Sequence, residues 1–316
     1  MTRPITTPIT TSPEQPLRLA LISDPHIWRL GVWPWQLVGK RAVGWLNLVT
    51  NRRKHFSNAG FPAALQRATE LGAGLVVVNG DLTQTALPSE FRAAERILAA
   101  CDLPAAIVPG NHDRYTHGAV WSRRFERRLG AQGGVTHFPS AFALGAGVRL
   151  IALDPCKPDL RARGYLPDAQ LAGLVEQLRD CRECGDLPLI ACHYPCTSPP
   201  EAPVRRGHEL INGDALLAVL AAHPQRVIVF SGHIHRTWCW QPRNAGNVIS
   251  LNPGPCGFRS AAAPHGLGFM EVLITREPDA RLEVRVHRRD AAGEWQSVVM
   301  LARDGLLQSG SGAAGS

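Results

Sequence analysis

The chain has 316 residues, 45% hydrophobic and 19% charged, enough for one large α/β domain or two small ones. No apolar run reaches the roughly 18 residues that span a bilayer, and eight cysteines without small-scaffold spacing argue for reduced thiols in a cytosol. The net charge of +8 favours an anionic partner: a phosphorylated substrate, nucleic acid or an acidic membrane surface.

The leader MTRPITTPITTSPEQP, residues 1–16, is Thr- and Pro-rich without an apolar signal core, and disorder is expected there. The run Leu17–Ser23 predicts a buried strand ending at Asp24. Helical spacing covers Phe61–Leu71, followed by a second buried strand over Leu75–Asp81. Ser89–Ala100 predicts a helix with Ser89 as its N-cap. Buried strands follow at Ala105–Asp113, Val148–Asp154, Leu187–His193 and Arg226–His235, with helices over Asp168–Arg179 and Asp214–Ala222. The alternating runs NVISLN, GFMEVLI, RLEVRVH and WQSVVML predict antiparallel strands that close the domain. The low-complexity tail, residues 305–316, is expected to be flexible. No repeat or linker divides residues 17–304, so one domain is expected.

Five of the buried strands end in polar clusters: Asp24/His26, Asp81, Asn111/His112/Asp113, His193 and His233/His235. Sites in open α/β sheets form at the carboxyl ends of strands, so these residues are expected to converge. The set holds carboxylates, imidazoles and one amide, with no thiolate. Such ligation suits manganese, iron or zinc better than calcium or magnesium. Asp24, His26, Asp81, Asn111, His193, His233 and His235 are more ligands than one ion needs. Two ions about 3.5–4 Å apart, sharing a carboxylate, fit the number. Gly80, Gly110 and Gly232 stand just before ligands, where the backbone must turn tightly.

The blocks Asp24-x-His26, Gly80-Asp81, Gly110-Asn111-His112-Asp113, His193 and Gly232-His233-Ile234-His235 follow the pattern D-x-H, GD, GNH[DE], H and GHxH. In this the chain resembles the calcineurin-like metallophosphoesterase family from Asp24 to His235. The resemblance implies a four-layer α/β/β/α sandwich with two central mixed sheets. It implies that Asp24, His26, Asp81 and His235 hold one divalent metal. Asp81, Asn111, His193 and His233 would hold the other, with Asp81 bridging. A metal-bridging hydroxide would be the nucleophile, and the ions would neutralise the phosphate oxygens. His112 would stand by the leaving-group oxygen as proton donor or electrostatic stabiliser, oriented by Asp113. Pro25 replaces the family's commoner apolar residue and is expected to keep Asp24 extended.

Duller readings apply elsewhere. His208 in VRRGHEL, with its two arginines, could meet a phosphate, but a solvated loop is the preferred reading. Cys181-x-x-Cys184 and Cys192-x-x-x-Cys196 read as buried thiols rather than a zinc site. Trp238 and Trp240 read as strand packing.

From Pro25 to Thr69 there is no acid, but there are seven cations: Arg29, Lys40, Arg41, Arg52, Arg53, Lys54 and Arg67. The same stretch holds Trp28, Trp33, Trp35 and Trp45. Trp35, Val38, Ala42, Trp45 and Val49 fall at helical spacing, weakened by Gly39 and Gly44. This insert, residues 27–58, has three readings. One is a cap helix whose apolar stripe packs on the domain with its cations in water. Another is an amphipathic lid, with tryptophans at a membrane interface and cations on anionic headgroups. The third is a nucleic-acid surface, with aromatics stacking on bases. The lid reading makes Trp33, Trp35, Lys40, Arg41, Arg52 and Arg53 candidate substrate-binding residues. The segment GKRAVGWLNLVTNRRKHF is also similar to one in bacterial UDP-2,3-diacylglucosamine pyrophosphatases.

The expected activity is hydrolysis of a phosphodiester or pyrophosphate bond in an amphiphilic substrate, UDP-diacylglucosamine-like or otherwise lipid-linked. Manganese is expected first among the metals, in a cytoplasmic enzyme peripheral to the inner face of a membrane. A cyclic-nucleotide phosphodiesterase is the alternative. A nuclease, or a non-catalytic binding protein with the same fold, are further rivals.

Overall fold

The computed structural model describes residues 16–30, 33–37, 39–159, 161–259, 268–275 and 280–304. Of the expected leader only Pro16 lies among them, and the expected flexible tail lies outside. The described strands are β1 (Leu17–Ile22), β2 (Leu75–Asn79), β3 (Ala105–Val108), β4 (Ser140–Gly145), β5 (Val148–Ala152), β6 (Leu187–Ala191), β7 (Val227–Phe230), β8 (Thr237–Trp240), β9 (Val248–Pro253), β10 (Gly268–Thr275), β11 (Arg281–Arg289) and β12 (Trp295–Asp304). The α-helices are α1 (Lys40–Asn47), α2 (Arg53–His55), α3 (Gly60–Glu70), α4 (Pro88–Ala99), α5 (His117–Trp121), α6 (Arg124–Leu129), α7 (Asp168–Cys184) and α8 (Gly213–Ala221).

Two six-stranded sheets result, ordered β12-β11-β10-β1-β2-β3 and β4-β5-β6-β7-β9-β8. In the first, β1, β2 and β3 are parallel, and β10, β11 and β12 extend it antiparallel. In the second, β5, β6, β7 and β9 are parallel, with β4 and β8 antiparallel at the edges. β1 shows why the sheets are layered. Its alternation sends Leu17, Leu19 and Leu21 to one face and Ala20 and Ile22 to the other. The leucines share a core with Leu189, Phe230 and Leu251 of the second sheet. Ala20 and Ile22 join Phe61 and Leu65 of α3 and Phe91 and Leu98 of α4. On the far side, Leu174 and Leu178 of α7 and Leu216 and Leu220 of α8 cover the second sheet. The layers are therefore helix, sheet, sheet and helix, as the motif resemblance implied.

Some local expectations are corrected. Ser89 does not cap α4, because Pro88 takes the first helical position. Leu87 before it is extended (φ −74°, ψ 147°), as a residue preceding proline favours. NVISLN gives β9, which is buried on both faces and runs parallel to β7 rather than closing the domain antiparallel. Asp24 is not held extended by Pro25; its φ is +52°. Among the described residues no helix is long and apolar enough to cross a membrane.

Candidate metal centre

The carboxyl ends of β1, β2 and β3 meet those of β6 and β7. Backbone pairing continues past the first two strands: Asp24 N–H donates to the Gly80 carbonyl (3.1 Å) and His26 N–H to that of Asp81 (2.9 Å). Between the sheets, Asn79 Nδ2 donates to the Cys192 carbonyl (3.0 Å). Asp24, His26, Asp81, His233 and His235 then turn with φ values between 46° and 68°. That region is uncommon for side chains other than glycine and clusters at functional sites. It swings groups that would alternate across a strand into one space. Gly110 is required for closeness: a Cβ there would run into the Asp81 carboxylate.

All seven expected ligands reach this space. Asp24, His26 and His235 form one group and Asp81, His193 and His233 another, with ligand atoms of each group within 4.8 Å of one another; His26, Asp81 and His112 form a third group that joins them. Asp81 Oδ2 stands 3.4 Å from His193 Nε2 and 3.7 Å from His26 Nε2, so it faces both groups. Asn111 Oδ1 adds to the second, 3.2 Å from His193 Nε2. Bonds behind the site decide which nitrogen faces in. His193 Nδ1 donates to the Asn79 carbonyl (2.7 Å), and His233 Nε2 to that of His208 (3.0 Å). Asp24 accepts from Ser23 Oγ (2.6 Å) and the His233 N–H (3.1 Å).

The electrostatics suit cations. Burial pushes His26 and His233 well below the ordinary imidazole range, and neighbouring imidazoles push further, so both are neutral at pH 7. Burial alone would raise the Asp81 carboxyl, but His193 and His112 outweigh it and hold it well below the usual range. Burial would lower His193, yet Asp81 raises it to about 9. His26 Nε2 and His235 Nε2 lie 3.0 Å apart, both turned toward Asp24 Oδ1. Imidazole nitrogens and carboxylates that converge in this way are a donor set for divalent metals, which displace any proton on a ligating histidine. The arrangement fits two ions.

His112 lies at the rim, its ring 4.7 Å from that of His26. Its Nδ1 donates to the Gln84 carbonyl (2.5 Å), while Nε2 faces Arg52 Nη1 at 3.4 Å. Burial lowers its pKa to about 4; Asp81 pulls it up and Arg52 adds to the fall. Asp113 does not orient His112, contrary to expectation. Its buried carboxylate accepts from the N–H groups of Leu82 (3.2 Å), Thr83 (2.9 Å) and Gly110 (2.9 Å), tying two ligand loops together. The Gln84 carbonyl orients the ring instead, and no side-chain pattern marks a backbone acceptor.

The centre opens into a cavity of about 690 Å³ whose wall includes Arg52, His112, Arg205, His208 and Arg236. His208 is exposed on a loop, as expected, and also lines this cavity. Arg236 escapes the sequence reading; its place directly after His235 is the only signal. All eight cysteines are free, and none joins a metal-ligating group among the described residues. Trp238 packs within β8–β9 as expected, its Nε1 donating to Ser250 Oγ (3.0 Å).

The insert starts and ends at one clasp. Trp28 N–H donates to Asn58 Oδ1 and Asn58 Nδ2 to the Trp28 carbonyl, each at 3.1 Å. Between them run α1, a π-helical turn at Leu48–Arg52 and α2. The cap-helix reading holds only in part: Trp45 and Val49 of the stripe are half-buried, Trp35 and Ala42 are exposed, and Lys40, Arg41 and Arg52 turn inward while Arg29, Arg53 and Lys54 stay exposed. Lys40 Nζ donates to the Asp159 carbonyl (2.6 Å) and lies 4.1 Å above the Tyr115 ring centre. Arg41 donates to the carbonyls of Thr85 (3.1 Å) and Ala86 (3.2 Å) and to Thr116 Oγ1 (3.1 Å). Gly44 permits this approach, since a Cβ there would stand 2.5 Å from Tyr115 Oη. Trp33, Trp35, Val43 and Leu46 face water, 63%, 69%, 70% and 58% exposed. Val38 of the expected stripe lies outside the described residues. Of the six expected substrate-binding residues, Arg52 alone lines the cavity. Trp33, Trp35 and Arg53 are exposed, and Lys40 and Arg41 are committed to backbone carbonyls.

Residues 17–237 match the calcineurin-like phosphoesterase family. A glycerophosphodiester phosphodiesterase of Enterobacter lignolyticus (strain SCF1) is 30% identical over 178 residues, 54% of this chain and 59% of that protein. A probable cyclic nucleotide phosphodiesterase of a Synechococcus strain is 26% identical over 220 residues, 67% of this chain and 76% of that protein. Among solved structures, a dimetal phosphatase from Danio rerio shares the fold with a TM-score of 0.62 at 16% identity, covering 90% of this chain and all of that one. A purple acid phosphatase from yellow lupin seeds does so at 0.57 and 14%, covering 93% of this chain and 54% of that one. The chain belongs to the calcineurin-like phosphoesterase family.

Proposed function

We propose that this enzyme hydrolyses a phosphodiester or pyrophosphate bond in an amphiphilic, lipid-linked substrate of the UDP-diacylglucosamine kind, working from the cytoplasm at the inner face of a membrane. Residues 17–304 act as one domain, with residues 27–58 as its lid. Asp24, His26, Asp81 and His235 hold one ion, and Asp81, Asn111, His193 and His233 the other. The ions, manganese before iron or zinc, supply Lewis acidity to the phosphate oxygens and a nucleophilic water. His112, its proton engaged on Gln84, offers Nε2 to the Arg52 guanidinium. Arg52 thereby meets the phosphoryl group as a fixed cation, and His112 positions it. Arg205 and Arg236 at the mouth suit a further anionic group, as the second phosphate of a pyrophosphate would supply.

The two-sided insert carries the substrate class: Arg52 in the cavity and an apolar face to solvent on the same segment. Similarity to a probable cyclic nucleotide phosphodiesterase favours a second reading, a soluble cyclic nucleotide. A manganese-loaded assay separates them. It compares a UDP-diacylglucosamine-type lipid in mixed micelles, a glycerophosphodiester, cyclic AMP and single-stranded DNA. The lipid is expected to give the highest kcat/KM. A higher value for cyclic AMP or the water-soluble diester would replace the lipid assignment.

A further inference from the structure

The insert carries several of the exposed large apolar side chains of the described residues, Trp33, Trp35, Val43 and Leu46 among them. Trp33 and Trp35 stack on each other with centroids 4.9 Å apart and planes 10° from parallel. Val43 and Leu46 of α1, on the same segment, are also exposed, at 70% and 58%. This is not a loose helix awaiting its core, because Lys40, Arg41 and Gly44 fix its other side to the body of the protein. A fixed apolar patch facing water marks an interaction surface.

Chemistry selects the occupant. Tryptophans concentrate at headgroup depth, where an apolar body and an N–H donor are both satisfied. Arg29, Arg53 and Lys54 are exposed on the same segment, which holds no acid. None of the three pairs with an acid among the described residues. A second copy docked on this face by a two-fold axis would set an acid-free, basic segment against an identical one. Nucleic acid would leave the aliphatic Val43 and Leu46 without apolar partners, and the indoles stack on each other rather than standing apart for bases. An anionic bilayer satisfies both the apolar face and its cations.

We propose that residues 27–58 dock the enzyme on an anionic lipid bilayer through Trp33, Trp35, Val43 and Leu46, with Arg29, Arg53 and Lys54 on the headgroups. The proposal gives the lipid-substrate reading its membrane partner, but docking itself needs no turnover. Sedimentation of the full chain with phosphatidylcholine vesicles, with and without phosphatidylglycerol, tests it. Wild type is expected to bind the anionic vesicles, with a blue shift in tryptophan emission and weaker binding as salt rises. Trp33→Ala/Trp35→Ala is expected to lower the partition coefficient on the order of tenfold or more, with unchanged metal content and thermal unfolding. Val43→Ser/Leu46→Ser, which keeps the indoles, is expected to lower it as well. Equal binding by both double variants and wild type, or no binding by wild type, would overturn the proposal. So would concentration-dependent dimerisation that the tryptophan substitutions abolish, which would assign the face to a second copy. Asp81→Ala keeps the failures apart. Vesicle binding that survives in it supports docking whatever the substrate panel shows.

Discussion

The ligand loops and the insert hold their functional groups by different means. In the loops, short backbone bonds and left-handed turns aim each side chain within a residue or two of a strand end. In the insert, the aim comes from far along the chain: Lys40 on the Asp159 carbonyl, Arg41 on those of Thr85 and Ala86, Arg52 beside His112. A site aimed by strand ends tolerates little change but is built locally. A site aimed by remote carbonyls can be displaced as a unit. The two regions should therefore fail differently, loops by losing metal and insert by losing rate with the metal in place.

Asp81→Ala should have the largest effect, because its carboxylate faces both ligand groups. Both ions should be lost, and kcat should fall on the order of 10³-fold or more. Elemental analysis and steady-state rates check this. Turnover with two bound ions would break the two-group reading. Arg52→Ala should come next, lowering kcat roughly 100-fold, the scale of one fixed charge removed from a developing negative centre. Its metal content should match wild type. Metal loss here would mean that the insert supports the ligand loops after all.

How far these regions are legible in the sequence follows from how they are aimed. β1, β2, β3, β5, β6 and β7 are short apolar runs with polar ends, and a sequence displays both. The proposed ligands, from Asp24 to His235, inherit their positions from those ends. β4 is partly exposed, with Leu144 its sole buried residue, so it leaves no alternation to read. The insert misleads for a related reason. Lys40 and Arg41 bond to carbonyls, and a carbonyl acceptor has no letter in the sequence, so the whole stripe of tryptophan and valine looks like the buried side. By propensity Gly44 is a weak point of the helix, yet it is where α1 comes close to Tyr115. Asp113 shows the limit within the loops. Its adjacency to His112 suggests orientation, while its carboxylate turns to the N–H groups of Leu82, Thr83 and Gly110.

Gly44→Leu sharpens the contrast without touching a charge. The new side chain would collide with Tyr115 Oη and Thr85 Cγ2, lifting α1 from the body. Overpacking of this kind costs about 1–3 kcal/mol. The rate should fall about tenfold as Arg52 loses its fixed position, with metal content unchanged. A wild-type rate in a variant with lowered thermal stability would show that Arg52 does not depend on the seat of α1.

The smallest effect concerns the joint between the two regions. Glu90 is buried and accepts from the N–H groups of Thr85 (2.8 Å) and Leu87 (3.0 Å). It thereby shapes the turn whose carbonyls hold His112 and Arg41. Burial raises its pKa from 4.5 to about 7, against the pull of those N–H groups and of Arg41. A carboxyl raised on folding binds its proton more tightly in the native state. Its contribution to stability is full below the unfolded value near 4.5, declines as pH rises, and is lost above about 7. The whole change is at most roughly 3 kcal/mol. Glu90→Gln keeps an acceptor for the turn and removes the titration. Urea unfolding of metal-free wild type and variant at several pH values between 4.5 and 8 isolates the group, because titrations common to both proteins cancel in the difference. Wild type should lose stability relative to the variant across that interval. A constant difference would mean that Glu90 stays ionised in the fold, with Arg41 and the turn's N–H groups outweighing its burial.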